Sequence, residues 1–381
     1  MTTAITIGMI IIYVAIMMGI GVYTARQTRS VSDFVLGSHS VGSWLTAFAY
    51  GTSYFSAVVF IGYAGQFGWT YGVSAAWVGV GNALLGSLLA WIVLGRRTRI
   101  MTQSLCAKTM PEYFEKRWNS KGLKIAAALI VFVFLIPYTA SVYNGLSRLF
   151  NMAFQIESEG AYKIIIIVMA LLTAIYVILG GYAATAINDF IQGIVMLIGI
   201  AAVVICAIQN QGGLTSALAA LGEIEVNGKT NTLNSVFGPD PLNLLGVVIL
   251  TSLGTWGLPQ MIHKFYAIKS ENDIKKGAVI STVFALIVAG GSYLLGGFDR
   301  LFCTLTEDGS GKTVISTLSN GKPDFDAMIP SLLHTALPDI LIGLVVVLVL
   351  SASMSTLSSL VLTSSSTLTI DLTQSCGRFF L

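Results

Sequence analysis

The sequence predicts an all-α integral membrane protein with about nine transmembrane helices, and three observations predict it. Of its 381 residues 55% are hydrophobic and only 10% are charged, with a mean hydropathy of +0.79. Soluble domains carry roughly 25% charged residues. The apolar residues gather into stretches of about 20, the length that crosses a bilayer. Approximate spans are 4–24, 41–65, 71–95, 123–150, 161–181, 183–208, 242–262, 275–297 and 337–370. Lys and Arg are sorted between the links. Those after spans one, three and seven, together with Arg378 in the tail, hold 15, and the opposite side holds Arg148, Lys163, Lys229, Arg300, Lys312 and Lys322. The positive-inside rule then places the amino terminus outside and the carboxy terminus inside.

Span one is too long for a signal peptide and lacks a cleavage-type end, so it is a retained helix. The net charge of +3 carries no nucleic-acid signal, because the basic residues follow the sides of a membrane. Cys106, Cys206, Cys303 and Cys376 lie in different segments, without disulfide or metal spacing. Two outer links are long, about 209–240 and 298–336. In the second, "KPDFDAMIPSLLHTALP" places Phe325, Met328, Ile329, Leu332 and Leu333 at helical spacing. It predicts a short helix lying over the outer mouth, with an ordinary interfacial helix as the plain alternative. "EDGSGKT" (307–313) ends like a phosphate-binding loop, but Thr306 stands where that loop requires Gly, so nucleotide binding is excluded. "GVGNALLG" (79–86) lacks dinucleotide spacing and supplies small residues for close helix packing.

Polar chemistry enters the membrane in three spans. Span two carries "YGTSYFSA" (50–57), where Gly51 stands among Thr52, Ser53 and Ser56. A helix can break there and release backbone carbonyls, or continue with its hydroxyls bonded back to their own turns. Span seven brings Gly254, Gly257 and Pro259 together beside Thr251, Ser252 and Thr255. Pro removes a helical donor and frees a carbonyl upstream. Two interrupted spans five apart point to a transporter site between repeats. Span nine reads "SASMSTLSSLVLTSSST" (351–367) at a depth where polar groups face another helix or a site. Its Ser355 and Thr356 offer adjacent hydroxyls, with Ala352 one turn earlier, and a hard monovalent cation accepts such oxygens without a carboxylate. Packing by small residues is the plain alternative. Asp189, inside span six, is either a functional carboxylate or an acid offsetting the helix dipole. His39, His263 and His334 fall in links, which argues against a histidine proton relay.

These residues carry a family resemblance. "SASMSTLSS" resembles the A-x-M-S-T-L motif of the sodium:solute symporter family, and "SDFVLGSHSVGSWLTA", "GGYAATAINDFIQG" and "GLPQMIHKFYAIK" extend the match from about residue 8 to Leu372. "NDFIQGIVMLIG" and "FIG" look most like the pantothenate branch, with a layout also close to the proline branch. The resemblance implies an inverted-repeat five-plus-five fold preceded by one extra helix. The chain would be a single transporter domain, 1–381, with helix 4–24 outside the repeats, 41–208 as first repeat and 242–370 as a partial second. It implies a Na⁺ site made of the carbonyls of Thr52, Phe55 and Ala352 and the hydroxyls of Ser355 and Thr356, with Asp189 on the ion's inner route. Asn82 matches a solute-contacting amide of the sialic acid branch, and Tyr138 a solute-side Tyr of the proline branch. Ser53, Ser56, Thr255 and Trp256 at the two breaks complete the candidate solute contacts. Proline transporters have Asp where this chain has Tyr54, and an aromatic pair where it has Thr251 and Thr255, which weighs against proline.

The function implied is Na⁺-coupled symport of a small organic solute (an amino acid such as proline, pantothenate or a related organic acid) into the cell across the plasma membrane. No enzymatic role is implied. Na⁺, the solute and lipid are the expected partners, with no nucleic acid or nucleotide. The family continues beyond "STLTIDL", so the second repeat is expected to be incomplete. Gly79, Gly81, Gly86, Gly290, Gly291 and Ser292 are then expected to mark a face for further helices. The rival reading is a non-transporting fragment or sensor that keeps the fold.

Overall fold

The computed structural model describes residues 2–26, 30–37, 41–154, 159–226, 228–307, 309 and 311–373. Arg29, His39, Cys376 and Arg378 lie outside the described residues. Helix α1 (Thr2–Ala25) is apolar all round, yet buries Tyr13 and Met17 and exposes Ile11, Ile12 and Tyr23, so one face meets protein and the other lipid. A short α2 (Val31–Leu36) is capped by the Ser30 hydroxyl, which accepts from the Asp33 amide at 3.1 Å. Span two begins as α3 (Ser43–Tyr54) and stops at Phe55, whose backbone is extended. The chain resumes as a wide-turn helix, Val58–Tyr63, and continues as α4 (Ala64–Tyr71). Gly72, at φ 62°, turns it into span three, made of α5 (Ala76–Gly81), the wide-turn segments Asn82–Leu88 and Trp91–Gly95, and α6 (Arg96–Ser104).

Helix α7 (Met110–Trp118) lies in the link and leads into α8 (Lys121–Phe154). Helix α9 (Glu159–Asn210) is interrupted at Gly181, where φ 55° and ψ −144° divide spans five and six. A Cβ at Gly181 would stand 2.6 Å from the Phe34 carbonyl oxygen, so both conformation and space demand glycine. After α10 (Leu214–Glu223), span seven starts as α11 (Pro241–Gly254). One tight turn, Thr255–Gly257, and an extended Leu258 separate it from α12 (Pro259–Ala267), and the two helices are bent by 52°. Span eight is α13 (Glu271–Gly296), and α14 (Asp299–Phe302) follows it. The outer link folds back as α15 (Met328–Ala336) before span nine, α16 (Asp339–Ser366), which continues in wide turns to Thr373.

Six helices of the described residues are long and apolar enough to cross a membrane, and the bent α11–α12 pair makes a seventh. The nine stretches of the sequence are redistributed for two reasons. Span two breaks at Phe55, leaving α3 short and its outer half in one run with span three, Val58–Ser104. Spans five and six likewise form one run across Gly181. Burial ranks the helices: 83% of the apolar window of α16 is covered by the chain itself, against 22% for α1 and 17% for α8, so α16 is central and the other two are peripheral.

Most of the small residues singled out in spans three and eight are packed inside the chain, while the Cβ position of Gly290 is open. Gly79 meets the Gly290 backbone, Gly81 the Val248 side chain, Gly86 the Ser252 backbone, and Gly291 Ile200, while Ser292 is fully buried. The outer link forms the expected short helix, and its apolar face is covered by protein, unlike that of an ordinary interfacial helix. Met328, Ile329, Leu332 and Leu333 are fully buried against protein, because α15 seats on the outer half of span two and on α8 and α9. Arg148 secures this cover with an ion pair to Asp324 at 3.0 Å, and Asn144 donates to Asp326 at 3.2 Å. Burial pushes the Asp326 carboxyl up, helped by Asp324 and opposed by Arg148. Arg148→Met is expected to cost at most about 1 kcal/mol, because the arginine is 38% exposed. It should still speed protease cleavage within 303–327, and cleavage at the unaltered rate would show that the ion pair does not hold the link.

Candidate functional site

The break in span two follows from its sequence. Gly51 weakens the helix, and at Ser56 two donors, Val59 and Phe60, converge on one carbonyl at 3.0 Å each. The amide of Val59 would serve Phe55 in a continuous helix, so the Phe55 carbonyl is released. Non-helical backbone at membrane depth persists only where it lines a buried site. Facing it is the hydroxyl-rich middle of α16. Ser355 Oγ lies 3.1 Å from the Thr52 carbonyl oxygen and 3.0 Å from that of Ala352. Thr356 Oγ1 lies 3.4 Å from Thr52 O, 3.5 Å from Phe55 O, 3.1 Å from Ala352 O and 3.5 Å from Ser53 O. The structure thus brings Thr52, Phe55, Ala352, Ser355 and Thr356 together, all fully buried or nearly so.

Oxygens that hold a cation of calcium-like radius at about 2.4 Å stand roughly 3.4 Å apart. The 3.0–3.5 Å hydroxyl–carbonyl separations here are hydrogen-bond distances, two of them back-bonds within α16 to Ala352, and they overlap the spacing such a shell requires. Among the described residues no carboxylate joins these contacts, which suits a singly charged ion. The Tyr176 hydroxyl donates to the Met354 carbonyl at 3.1 Å and braces α16 from span five.

A second cluster lies between the breaks. Asn82 Nδ2 donates to the Tyr54 hydroxyl at 2.6 Å, and Ser252 Oγ donates to Asn82 Oδ1 at 3.1 Å. Thr255 Oγ1 lies 2.8 Å from Ser252 O and 3.4 Å from Gly86 O. Tyr54, Asn82, Ser87 and Thr255 line a cavity of about 20 Å³ walled by Phe55, Phe284 and Val288. That volume admits one water, so a solute requires the lining to part. Other expected solute contacts fall elsewhere. Ser53 points to α16, its Oγ 2.9 Å from Ser359 Oγ, because it follows Thr52 around the helix while Gly51 and Tyr54 face the cavity. Ser56 is fully buried outside the cavity lining, and its hydroxyl has no partner among the described residues. Trp256 donates to the Leu85 carbonyl at 2.9 Å and lies outside the lining. Tyr138 packs with Leu135, Val142, Leu357 and Leu360 and faces an apolar groove of about 560 Å³ beside Leu258 and Pro259.

Asp189 is fully buried and has a partner on another span. Lys264 Nζ stands 3.5 Å from Asp189 Oδ2. The dipole alternative fails, because Asp189 lies two turns past Gly181 and the dipole effect fades within the first turn. A span ending at residue 262 leaves Lys264 and His263 in the link beyond it. Both are instead in α12, with Lys264 1% exposed and His263 packed edge-on to Tyr182. The missed signal was helical spacing after Pro259: Met261, Ile262, Phe265 and Tyr266 continue an apolar pattern around Lys264.

A model of the sodium:solute symporter family matches residues 34–378. Sodium/proline symporters of Staphylococcus aureus strains JH9 and JH1 are each 31% identical to this chain over 369 residues, covering 95% of this chain and 67% of their own length. Among solved structures, a Na⁺-coupled sialic acid symporter in a substrate-bound outward-open state aligns at TM-score 0.73 and 17% identity, over 97% of this chain and 73% of that one. A nucleobase-cation-symport-1 family transporter, closed with bromovinylhydantoin bound, aligns at TM-score 0.51 and 13% identity, over 92% and 70%. At these identities the two structures speak for the fold alone.

Proposed function

The chain belongs to the sodium:solute symporter family, and from that premise we propose that it is the transporting core of a secondary carrier. Na⁺ binding between spans two and nine drives uptake of a small organic solute into the cell by alternating access. The observation that carries this reading is the convergence of three carbonyls and two hydroxyls at the break of span two. Na⁺ is the coupling ion. Thr52, Phe55 and Ala352 give carbonyl oxygens, Ser355 and Thr356 give hydroxyls, and Asp189 lies on the inner route. Because α3 ends at this site and its last residue, Tyr54, between the Thr52 and Phe55 carbonyls, reaches into the second cluster, filling the ion site orders the solute site. The coupling is bounded by the difference in Na⁺ affinity between the two states.

The solute sits among Tyr54, Asn82 and Thr255. Their uncharged side chains recognise it by hydrogen bonds, which fits an amino acid such as proline, pantothenate or a related organic acid. The proline relatives favour the first, and Tyr54 with Thr251 and Thr255 favours the others. In the membrane the chain makes nine crossings with the amino terminus outside and the carboxy terminus inside, residues 41–208 forming one repeat and 242–370 part of its inverted partner. The plasma membrane is its site. Uptake of L-proline, pantothenate and sialic acid into proteoliposomes, with and without an inward Na⁺ gradient, tests the proposal. Accumulation of one of them only with the gradient is expected, and uptake indifferent to Na⁺ would contradict it. Asn82→Ala is expected to raise the half-saturating solute concentration about tenfold, the effect of one lost polar pairing. Na⁺ affinity should change little, and a parallel loss of Na⁺ affinity would place Asn82 in the ion site instead.

A further inference from the structure

The Lys264 ammonium is held by more than its ion pair. It donates to Ser359 Oγ at 3.0 Å and lies 5.2 Å from the centroid of the Tyr182 ring. Ser359 Oγ is 2.9 Å from Ser53 Oγ, and Ser53 donates to the Ala49 carbonyl at 2.6 Å. Proton counting gives this chain a direction. The ammonium can only donate, and the single proton of Ser53 goes to Ala49, so Ser359 accepts from Lys264 and donates to Ser53. Aligned donors of this kind strengthen one another in a dry interior. The relay runs from α12, across α16, to the residue beside Thr52, and the Ser53 carbonyl itself lies 3.5 Å from Thr356 Oγ1. The Asp189 oxygens accept no hydrogen bond among the described residues, so the pair is tied chiefly by charge.

We propose that Lys264 is a positioning residue for the Na⁺ site. Its ammonium is a tethered cation that neutralises Asp189 and, through Ser359 and Ser53, fixes the break of span two in the register that points the Thr52 and Phe55 carbonyls at Ser355 and Thr356. The two breaks are thereby joined at the inner end of the ion site, and inward movement of α12 loosens the ion's ligands. An ion leaving towards Asp189 meets a carboxylate already matched with a charge, so it passes only as Lys264 gives way. The inference rests on the proposed Na⁺ site.

The rival role is charge compensation alone, and two readouts on the purified chain separate them: melting temperature without Na⁺, and equilibrium binding of radioactive Na⁺. Lys264→Met strands a buried carboxylate and is expected to melt well below the unaltered chain. In Lys264→Met/Asp189→Asn no buried charge is stranded, and melting should largely recover. Na⁺ affinity in this double variant should remain about tenfold weaker, because Ser359 has lost its donor. Ser359→Ala keeps the ion pair and should reproduce the loss of affinity with little change in melting. Lys264→Arg, which can serve both partners, should hold affinity within about threefold. Unaltered Na⁺ affinity in the double variant or in Ser359→Ala would overturn the inference while leaving the Na⁺ site standing. Absence of Na⁺ binding in the unaltered chain would overturn both.

Discussion

Thr356→Ala is expected to weaken Na⁺ binding by about one to two orders of magnitude, and Ser355→Ala/Thr356→Ala to abolish it below molar concentrations. Thr356 Oγ1 is the most connected atom of the site, within 3.5 Å of the carbonyls of Thr52, Ser53, Phe55 and Ala352. Interactions of a charged group with one polar partner are worth about 1.5–3 kcal/mol, hence the predicted range. Removing the hydroxyl also leaves the released Phe55 carbonyl without its side-chain donor, so the variant loses some stability in every salt. The diagnostic quantity is therefore the stabilisation specific to Na⁺. A ligand at 100 times its dissociation constant stabilises by about 2.7 kcal/mol. Melting of the unaltered chain should rise when Na⁺ replaces K⁺, and melting of the double variant should not. Thr356→Ser, which keeps the oxygen, should retain the rise. An equal rise in the double variant would remove the ion from this position.

Gly68→Val is expected to prevent the chain from folding, the largest structural effect of any single change considered. Helix α4 meets the end of α13 backbone to backbone. A Cβ on Gly68 would overlap the carbonyl group of Gly296, and one on Gly296 would overlap the Ala64 carbonyl. Overpacking in a core costs about 1–3 kcal/mol when side chains can yield, and more when, as here, the obstacle is backbone. The penalty bears on function because α4 continues the outer half of the broken span, so prying it from α13 shifts Phe55 away from α16. Gly257→Val is the matched control, since nothing lies within 4 Å of its Cβ position. Size-exclusion profiles and melting should show loss of the folded peak for Gly68→Val and near-normal behaviour for Gly257→Val. A normal profile for Gly68→Val would mean that α4 and α13 do not meet as described.

Much of the site is legible in the sequence because membrane depth makes polar residues costly. Gly51 among hydroxyls, Pro259 after two glycines, and Ser355–Thr356 inside an apolar run each stand out against lipid, and the structure gathers four of the five expected oxygens on α3 and α16 and releases the fifth at Phe55. Rotation about a helix axis is harder to read. Ser53 and Tyr54 are neighbours in sequence and face opposite partners, Ser359 and Asn82, which no count of hydroxyls anticipates. Lys264 was hidden for a different reason. A lysine near the end of an apolar stretch usually marks water, and only the placement of Asp189 on another helix shows what buries it. The count of spans suffers where glycine bends the chain without ending it, at Gly72 and Gly181.

Equilibrium binding of radioactive Na⁺ to the purified chain measures most directly whether an ion sits between the break of α3 and the middle of α16. Saturable binding of one ion per chain is predicted, undiminished by excess K⁺. Ser355→Ala/Thr356→Ala should lose it while its circular dichroism stays helical. Saturable binding that survives in that double variant, or no saturable binding to the unaltered chain, would contradict the site.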